Sequence, residues 1–256
     1  MLLPPIYIIT GLMGSGKSTV ANYIRYRNHF VIKMDDYAKN FIKNNDKCLM
    51  TLVRCFGKDI LNTEGFLDED YMKKVYFDPT YEKNRKMFES ILDRLLYEDL
   101  FEKLKDKKDP VFLEVPAFEH NRFKDFVTRF MERAIVHVIW VFVNDEERHK
   151  RLLNRGMCEE QIKLRDAIQC PEIPVLDTLD CFVSVISNIG TEEDLFNEVT
   201  KFLHESFNDW SAKKEYMKNH FDCMDNKVFA KFMCAGFKNT LGCESCPFPC
   251  KSAVQK

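Results

Sequence analysis

The hydrophobic pattern divides the 256-residue chain into short apolar runs separated by longer stretches with helical spacing. The apolar runs are bounded by polar or turn residues, as expected for buried strands. They are IYIIT (6–10), FVIKM (30–34), VFLEV (111–115), IVHVIWVFV (135–143) and CFVSVIS (181–187). Because helical stretches separate these runs, the pattern predicts an α/β fold with a five-stranded parallel sheet flanked by helices.

Residues 40–108 show no strand pattern, and their Phe, Leu, Met and Tyr residues recur at three- and four-residue spacing. This spacing predicts helices, some of which we expect to stand off the sheet as a substrate-binding lobe at about 40–108. We expect one domain over 1–204 and a cysteine-rich extension over 205–256. Within that extension, HESFNDWSAKKEYMKNHF (204–221) predicts a helix.

A glycine-rich stretch, GLMGSGKS (11–18), follows the first predicted strand and fills every fixed position of the phosphate-loop pattern G-x-x-x-x-G-K-[ST]. Such a loop turns successive N–H groups toward one anion, and the next helix adds its positive N-terminal end. A chance glycine turn is disfavoured because a β-rich run precedes the stretch and an amphipathic helix follows it. We therefore expect a nucleoside triphosphate to bind here, with Lys17 on the β- and γ-phosphates and Ser18 on Mg²⁺. The candidate nucleotide-binding residues are Gly11, Met13, Gly14, Ser15, Gly16, Lys17, Ser18 and Thr19.

Acidic residues stand at the ends of two other predicted strands. Asp35 follows the second strand, where it is placed to accept the proton of an attacking hydroxyl or to hold that hydroxyl in line. The alternative is that Asp35 or Asp36 caps a helix beginning near Tyr37. Glu114, near the end of the third strand, is a candidate ligand of Mg²⁺ through water.

Two basic stretches follow the fourth strand and meet at Gly156. In the second stretch, Arg165 and Gln169 are four residues apart. This arrangement suits a lid at about 148–169 that closes over a triphosphate, although a surface helix laced with ion pairs would give a similar pattern. In the first stretch, three arginines share one helical face: Arg148, Arg151 and Arg155.

Taken together, these motifs resemble the dephospho-CoA kinase family over about residues 5–204. The motifs follow the family's order. They are TGLMGSGKSTVANYI, VIKMDDYAK, CFGKDILNTEGFLDEDYMKKVYF (55–77), R-x-x-F-E (85–89), VPAFE (115–119), RLLNRG (151–156), RDAIQ (165–169) and SNIG (187–190). Residues 55–77 discriminate best, because other phosphate-loop kinases have nothing similar.

The resemblance implies a kinase that uses ATP and Mg²⁺ to phosphorylate the 3′-hydroxyl of dephospho-CoA, giving coenzyme A and ADP. It implies that Asp35 activates this hydroxyl, with Lys17 and Arg155 as further catalytic candidates. Arg151 and Asn188 correspond to residues that bind ATP, the latter near adenine. For substrate contacts the candidates are Asp35, Arg85 and Glu119, although Glu119 also suits a solvated loop.

Three departures from the family lie on the acceptor side. Lys33 replaces the first acid of the usual Asp-Ala-Asp, Asp93 and Arg94 replace His-Pro, and the leucine-leucine loop is one residue short. Two alternatives therefore stay open. One is a deoxynucleoside or nucleoside monophosphate kinase on the same fold, and the other is a nucleotide-binding regulatory protein with a metal-binding tail.

Composition limits the range of partners. A formal net charge of -2 argues against nucleic acid as the main partner. No apolar run approaches the roughly 18 residues of a bilayer span, and MLLPPIYIIT lacks the basic and apolar segments of a signal peptide. We therefore expect a soluble, cytoplasmic enzyme that acts on a small-molecule substrate.

Half of the ten cysteines fall in the last part of the chain. The C-x2-C spacing there suits Zn²⁺ or an iron–sulfur cluster, and the alternative is a reduced tail with incidental thiols. The candidate ligands are Cys234, Cys243, Cys246 and Cys250.

Overall fold

The computed structural model describes residues 3–77, 79–116, 120–167, 169 and 181–220. One parallel sheet with strand order β2-β3-β1-β4-β5 forms its centre, which confirms the predicted fold class. The strands are β1 (Ile6–Thr10), β2 (Phe30–Lys33), β3 (Val111–Glu114), β4 (Val136–Phe142) and β5 (Phe182–Ser187). Each predicted strand is present, and only end residues differ. The most consequential difference is Met34, which opens a helix instead of ending β2.

Helices connect the strands and cover both faces of the sheet. Within the described residues they are α1 (Lys17–Tyr26), α2 (Met34–Asn44), α3 (Asp46–Phe56), α4 (Glu69–Phe77), α5 (Glu82–Leu104), α6 (His120–Met131), α7 (Asp145–Asn154), α8 (Glu159–Asp166) and α9 (Glu192–His220). None of these helices combines the length and the apolar character that crossing a bilayer requires. The predicted lobe is helical, and its one isolated β-bridge among the described residues joins Leu61 to Leu67.

Helix α9 is longer than predicted. It spans Glu192–His220, so the helix predicted within the extension is confirmed through His220, and the helix begins well before that stretch. The reason lies in Leu195, Val199 and Phe202, which recur at helical spacing and are buried against the sheet. The helix therefore crosses the expected domain boundary, and the division at 204 stays a prediction.

Alternation along β1 sorts the core into two layers. Ile6 and Ile8 pack into the cluster that contains buried residues of α3, α5 and α6. Tyr7 and Ile9 face the opposite side and pack with residues of α1 and α9. All five residues of β1 are buried because helices cover both faces of this central strand.

The strand register brings the candidate site together. Lys33 at the end of β2 is the Cα partner of Glu114 at the end of β3, and Glu114 is also paired with Ile9 of β1. The segments that follow these strands therefore begin side by side at one edge of the sheet. This edge is where ligands bind in open α/β sheets.

Candidate active site

The phosphate loop needs glycine at two positions, because an added Cβ would collide with a different neighbour at each. Gly16 has φ +98°, and a Cβ there would lie 2.1 Å from Nδ2 of Asn188. At Gly11 a Cβ would lie 2.5 Å from the carbonyl oxygen of Val141. Helix α1 begins directly after this loop and has no acidic residue in its first turn. Its positive N-terminal end is therefore available for an anion.

Lys17 folds back over the loop. Its Nζ donates to the carbonyl oxygens of Gly11 at 2.8 Å and Leu12 at 3.0 Å. Burial lowers the pKa of Lys17 to about 8, although the carboxylates of Glu114 and Asp35 oppose this shift. The charge of this lysine therefore depends on the acidic residues across the cavity.

Asp35 lies in the first turn of α2. This helix begins at Met34 and its N-cap residue is Lys33, so the alternative in which Asp35 or Asp36 caps the helix is wrong. Burial raises the pKa of Asp35, nearby Glu114 raises it further, and Lys17 partly offsets both effects. A carboxylate with a raised pKa is a better proton acceptor than one at the surface.

Glu114 and Ser18 form the candidate magnesium site. The Oγ of Ser18 donates to Oε1 of Glu114 at 2.5 Å, so the two residues predicted to bind Mg²⁺ lie next to each other. The described residues contain no group of three or more metal-binding side chains. Hydroxyl and carboxylate oxygens nevertheless fit Mg²⁺, which takes few protein ligands and completes its shell with water and substrate phosphates.

A cavity of about 550 Å³ joins these groups. Its lining includes several of the predicted residues: Met13, Gly14, Gly16, Lys17, Ser18, Thr19, Asp35, Arg85, Glu114 and Arg155. Lys33 also lines it, which places one departure from the family in the cavity wall. Four predicted nucleotide-binding residues lie outside the lining: Gly11, Ser15, Arg151 and Asn188.

Asn188 and Arg151 brace the loop from its other side. The buried Nδ2 of Asn188 donates to the carbonyl oxygen of Ser15 at 2.7 Å. Arg151 donates from Nη2 to the carbonyl oxygen of Asn188 at 3.1 Å. The side chain of Asn188 thus supports the loop directly, and its contact with adenine stays a prediction.

One arginine joins α7 and α8, the two helices of the predicted lid. Arg148 is buried and forms a bidentate ion pair with Asp166, with distances of 2.8 and 2.7 Å. The three arginines predicted to share one helical face have different surroundings, since Arg148 pairs with Asp166 and Arg155 lines the cavity. The side chain of Arg148 is buried because its guanidinium pairs with the carboxylate of Asp166 on α8.

Residues from the second basic stretch reach the phosphate loop. Oε1 of Gln169 accepts from the backbone N–H of Met13 at 3.0 Å. Nη1 of Arg165 lies 3.0 Å from Sδ of the same methionine. Both residues line the cavity, so this stretch contacts the loop that it was expected to cover.

Sequence analysis missed an ion-pair cluster in the cavity wall. Arg122 of α6 contacts Glu89 and Asp93 of α5, and all three residues line the cavity. The available signal was the four-residue spacing of the two acids, which places them together on one helix face and favours a shared cation. Nothing in the sequence showed that the cation comes from a different helix.

Some predicted residues fall outside the described part of the chain. These are Glu119 and the tail cysteines Cys234, Cys243, Cys246 and Cys250. Their expected roles in substrate contact and metal binding stay predictions. Among the described cysteines, Cys48, Cys55 and Cys158 carry free thiols.

Comparison with known proteins identifies the family. A family model described as dephospho-CoA kinase matches residues 6–189, a range that contains the sheet, the lobe and the lid. The chain belongs to the dephospho-CoA kinase family. The resemblance predicted from the sequence motifs is confirmed, and the chain is a phosphotransferase of the P-loop kinase class that uses ATP.

Individual relatives cover most of the fold. The dephospho-CoA kinase of Corynebacterium glutamicum is 29% identical over 198 residues, which are 77% of this chain and 94% of the relative. That of Aquifex aeolicus is 29% identical over 200 residues, covering 77% and 95%. A crystal structure of a Thermus thermophilus protein has a TM-score of 0.61 at 26% identity, covering 80% of this chain and 98% of that one.

Proposed function

We propose that the protein transfers the γ-phosphate of ATP to the 3′-hydroxyl of dephospho-CoA, giving coenzyme A and ADP. The observation that carries this proposal is the shared cavity, in which Asp35 after β2 and the phosphate loop after β1 lie on either side of the end of β3. Family membership supports the same acceptor, since the relatives described above are named dephospho-CoA kinases.

The donor half of the site binds the triphosphate. The N–H groups of the loop and of the first turn of α1 donate hydrogen bonds to the phosphate oxygens. Lys17 exchanges its contacts with the carbonyl oxygens of Gly11 and Leu12 for phosphate oxygens, and the added negative charge raises its pKa above the value of about 8. Arg155 adds positive charge for the transition state.

Ser18 and Glu114 are the residues that would hold Mg²⁺, Glu114 through water. When bound, the ion neutralises charge on the β- and γ-phosphates. The hydrogen bond between the two side chains keeps their oxygens together before any metal arrives. This order reduces the rearrangement that binding requires.

Asp35 acts on the acceptor. The 3′-oxygen forms a bond with the γ-phosphorus while the bond from that phosphorus to the β-bridging oxygen breaks, and ADP leaves. The proton of the hydroxyl passes to the carboxylate of Asp35, whose raised pKa makes it a stronger proton acceptor than an exposed aspartate.

The surrounding helices divide the remaining work. We assign the lobe at about 40–108 to the acceptor, with Arg85 in the cavity wall and Glu119 as a further contact. We assign residues 148–169 to a lid that places Arg155 and Arg165 beside the phosphates.

The tail from 205 to 256 lies beyond the family match, and we propose a Zn²⁺ or iron–sulfur site on its four candidate cysteines. Metal analysis of anaerobically purified protein tests this, and less than about a tenth of an equivalent contradicts it.

An acceptor panel tests the proposed reaction. The full-length protein is incubated with Mg-ATP and either dephospho-CoA, nucleoside monophosphates or deoxynucleoside monophosphates, and ADP and product mass are measured. We expect ADP and coenzyme A only with dephospho-CoA. Turnover only with the monophosphates contradicts the proposal, and so does the absence of acceptor-dependent ADP with every compound.

A further inference from the structure

An ion-pair cluster joins α5 and α6 in the wall of the cavity. Nε and Nη2 of Arg122 donate to the two carboxylate oxygens of Asp93 at 3.0 and 2.9 Å. Nη1 of Arg122 donates to Oε1 of Glu89 at 2.7 Å. The three side chains are only 19, 15 and 21% exposed in the order Arg122, Glu89 and Asp93.

Electrostatics explains why the arginine stands between the acids. Glu89 and Asp93 are four residues apart on one helix, where two like charges repel each other. The guanidinium lies between the two carboxylates and offsets their repulsion. Without it, two carboxylates one helical turn apart would repel each other in the cavity wall.

The position of the cluster connects it with the acceptor. Its residues line the same cavity as Asp35, and the same two helices add the apolar side chains of Leu92, Leu96 and Phe126. An apolar surface edged by carboxylate oxygens suits a flat, uncharged group that carries an N–H or O–H donor.

We propose that Glu89 and Asp93 select the acceptor by accepting a hydrogen bond from an uncharged donor on its nucleoside, and that Arg122 is the positioning residue that orients both carboxylates. The inference rests on the proposed function and deepens it. The donor is either the exocyclic amine of the base or a hydroxyl of the ribose. Both belong to the same nucleoside, and analogues distinguish them.

Near-isosteric variants provide the first test. Asp93→Asn and Glu89→Gln keep the shape of each side chain and remove its charge. We expect kcat/KM for dephospho-CoA to fall at least about tenfold, because the donor meets a weaker or misdirected acceptor, while KM for ATP stays within about twofold. Glu82→Gln, which alters an exposed ion pair on the same helix, is the matched control and should change neither value. Equal losses toward ATP and the acceptor overturn the proposal, as does an unchanged kcat/KM for dephospho-CoA.

A charge swap separates selection from structural support. Asp93→Arg combined with Arg122→Asp restores an ion pair between α5 and α6 but moves the carboxylate to the other helix. We expect this double variant to recover melting temperature relative to Arg122→Asp alone and not to recover kcat/KM for dephospho-CoA. Arg122→Lys keeps the charge and loses the bidentate contact, so its kcat/KM for dephospho-CoA should lie between those of Arg122→Asp and the wild-type protein. Full recovery of acceptor use in the swap shows a structural role and overturns the proposal.

Acceptor analogues identify the donor group. Dephospho-CoA with hypoxanthine in place of adenine lacks the amine, and the 2′-deoxy analogue lacks a ribose hydroxyl. One of them should bind the wild-type protein more weakly than dephospho-CoA, and this difference should disappear in Asp93→Asn or Glu89→Gln. Differences that persist in both variants contradict the assignment. Calorimetric titration with these compounds needs no turnover, so selective binding without coenzyme A formation contradicts only the proposed function.

Discussion

The two halves of the cavity differ in what they are made of. The donor half is centred on one contiguous stretch of sequence, the phosphate loop, in which backbone groups and Lys17 interact over a few residues. The acceptor half is built from side chains far apart in the chain, since Arg122 lies 33 residues from Glu89 and 29 from Asp93. A site made of backbone tolerates few substitutions because φ angles and close contacts fix it. A wall made of side chains can exchange one ion pair for another.

The departures from the family pattern lie in the acceptor half. Every fixed position of the phosphate-loop pattern is filled, whereas Lys33 and Asp93 replace the usual residues in the acceptor half. Family membership therefore transfers most directly to the donor half. The acceptor half has to be tested residue by residue.

The largest expected effect is at the meeting point of the two halves. Asp35→Asn should lower kcat by about 100- to 10,000-fold and leave ATP affinity within about twofold, because proton acceptance matters only in the chemical step. Steady-state kinetics and ATP titration measure the two quantities. Asp36→Asn, one residue along the same cavity wall, is the matched control and should lose far less. Unchanged turnover in Asp35→Asn would remove this residue from catalysis.

The next largest effect tests the dependence of the donor half on its backbone. Gly16→Ala should weaken ATP binding by at least about tenfold, because the added Cβ would meet the amide of Asn188 and displace the loop. The free energy of unfolding should fall by about 1–3 kcal/mol from the strained φ angle alone. Gly57→Ala is the control, since φ there is +85° and nothing lies within 4 Å. Similar ATP binding in both variants would contradict the contact with Asn188.

A smaller effect is expected from pH. The pKa of Lys17 is lowered to about 8, so its charge is lost as pH rises through that value, and kcat/KM for ATP should fall above it. On the acid side kcat/KM should rise as Asp35, whose pKa is raised, loses its proton. Lys17→Arg should abolish the alkaline decline, because arginine stays charged.

A second variant sharpens the pH prediction. Since the carboxylate of Asp35 supports the charge of Lys17, Asp35→Asn should move the alkaline decline of ATP binding to lower pH. Titration of ATP affinity against pH measures this shift. An unchanged decline in Asp35→Asn would show that the two residues are not coupled.

The smallest effect is expected at the ion pair between Arg148 of α7 and Asp166 of α8. Arg148→Met should lower the free energy of unfolding by about 2 kcal/mol and change kcat little, because Arg148 supports α7 and α8 without lining the cavity. Asp145→Asn tests the exposed contact of the same arginine and should have no measurable effect, since the Asp145 side chain is 90% exposed. Denaturant unfolding with parallel kinetics distinguishes the variants. A large loss of kcat in Arg148→Met would place this residue in the catalytic machinery.

The sequence predictions were limited for side chains whose partners are distant in the chain and for the exact ends of helices. The spacing of Arg148, Arg151 and Arg155 placed them on one helix face, but it did not show that Asp166 draws the first of them inside. In the same way, the acidic residues after β2 suggested a helix cap, whereas α2 begins one residue before them. Residue spacing reports neighbours along one helix, but it shows neither partners on another helix nor the residue at which a helix begins.

By itself, the sequence determined the five strands, the phosphate loop and the family, because these follow from local periodicity, glycine positions and motif order. The tertiary structure alone decided that Glu114 meets Ser18, that Asn188 supports Ser15 and that Arg122 joins Glu89 to Asp93. The physical reason is the range of the forces involved. Strand formation and loop geometry depend on residues close in the chain, whereas ion pairs and close contacts depend on strand register and helix packing over the whole fold.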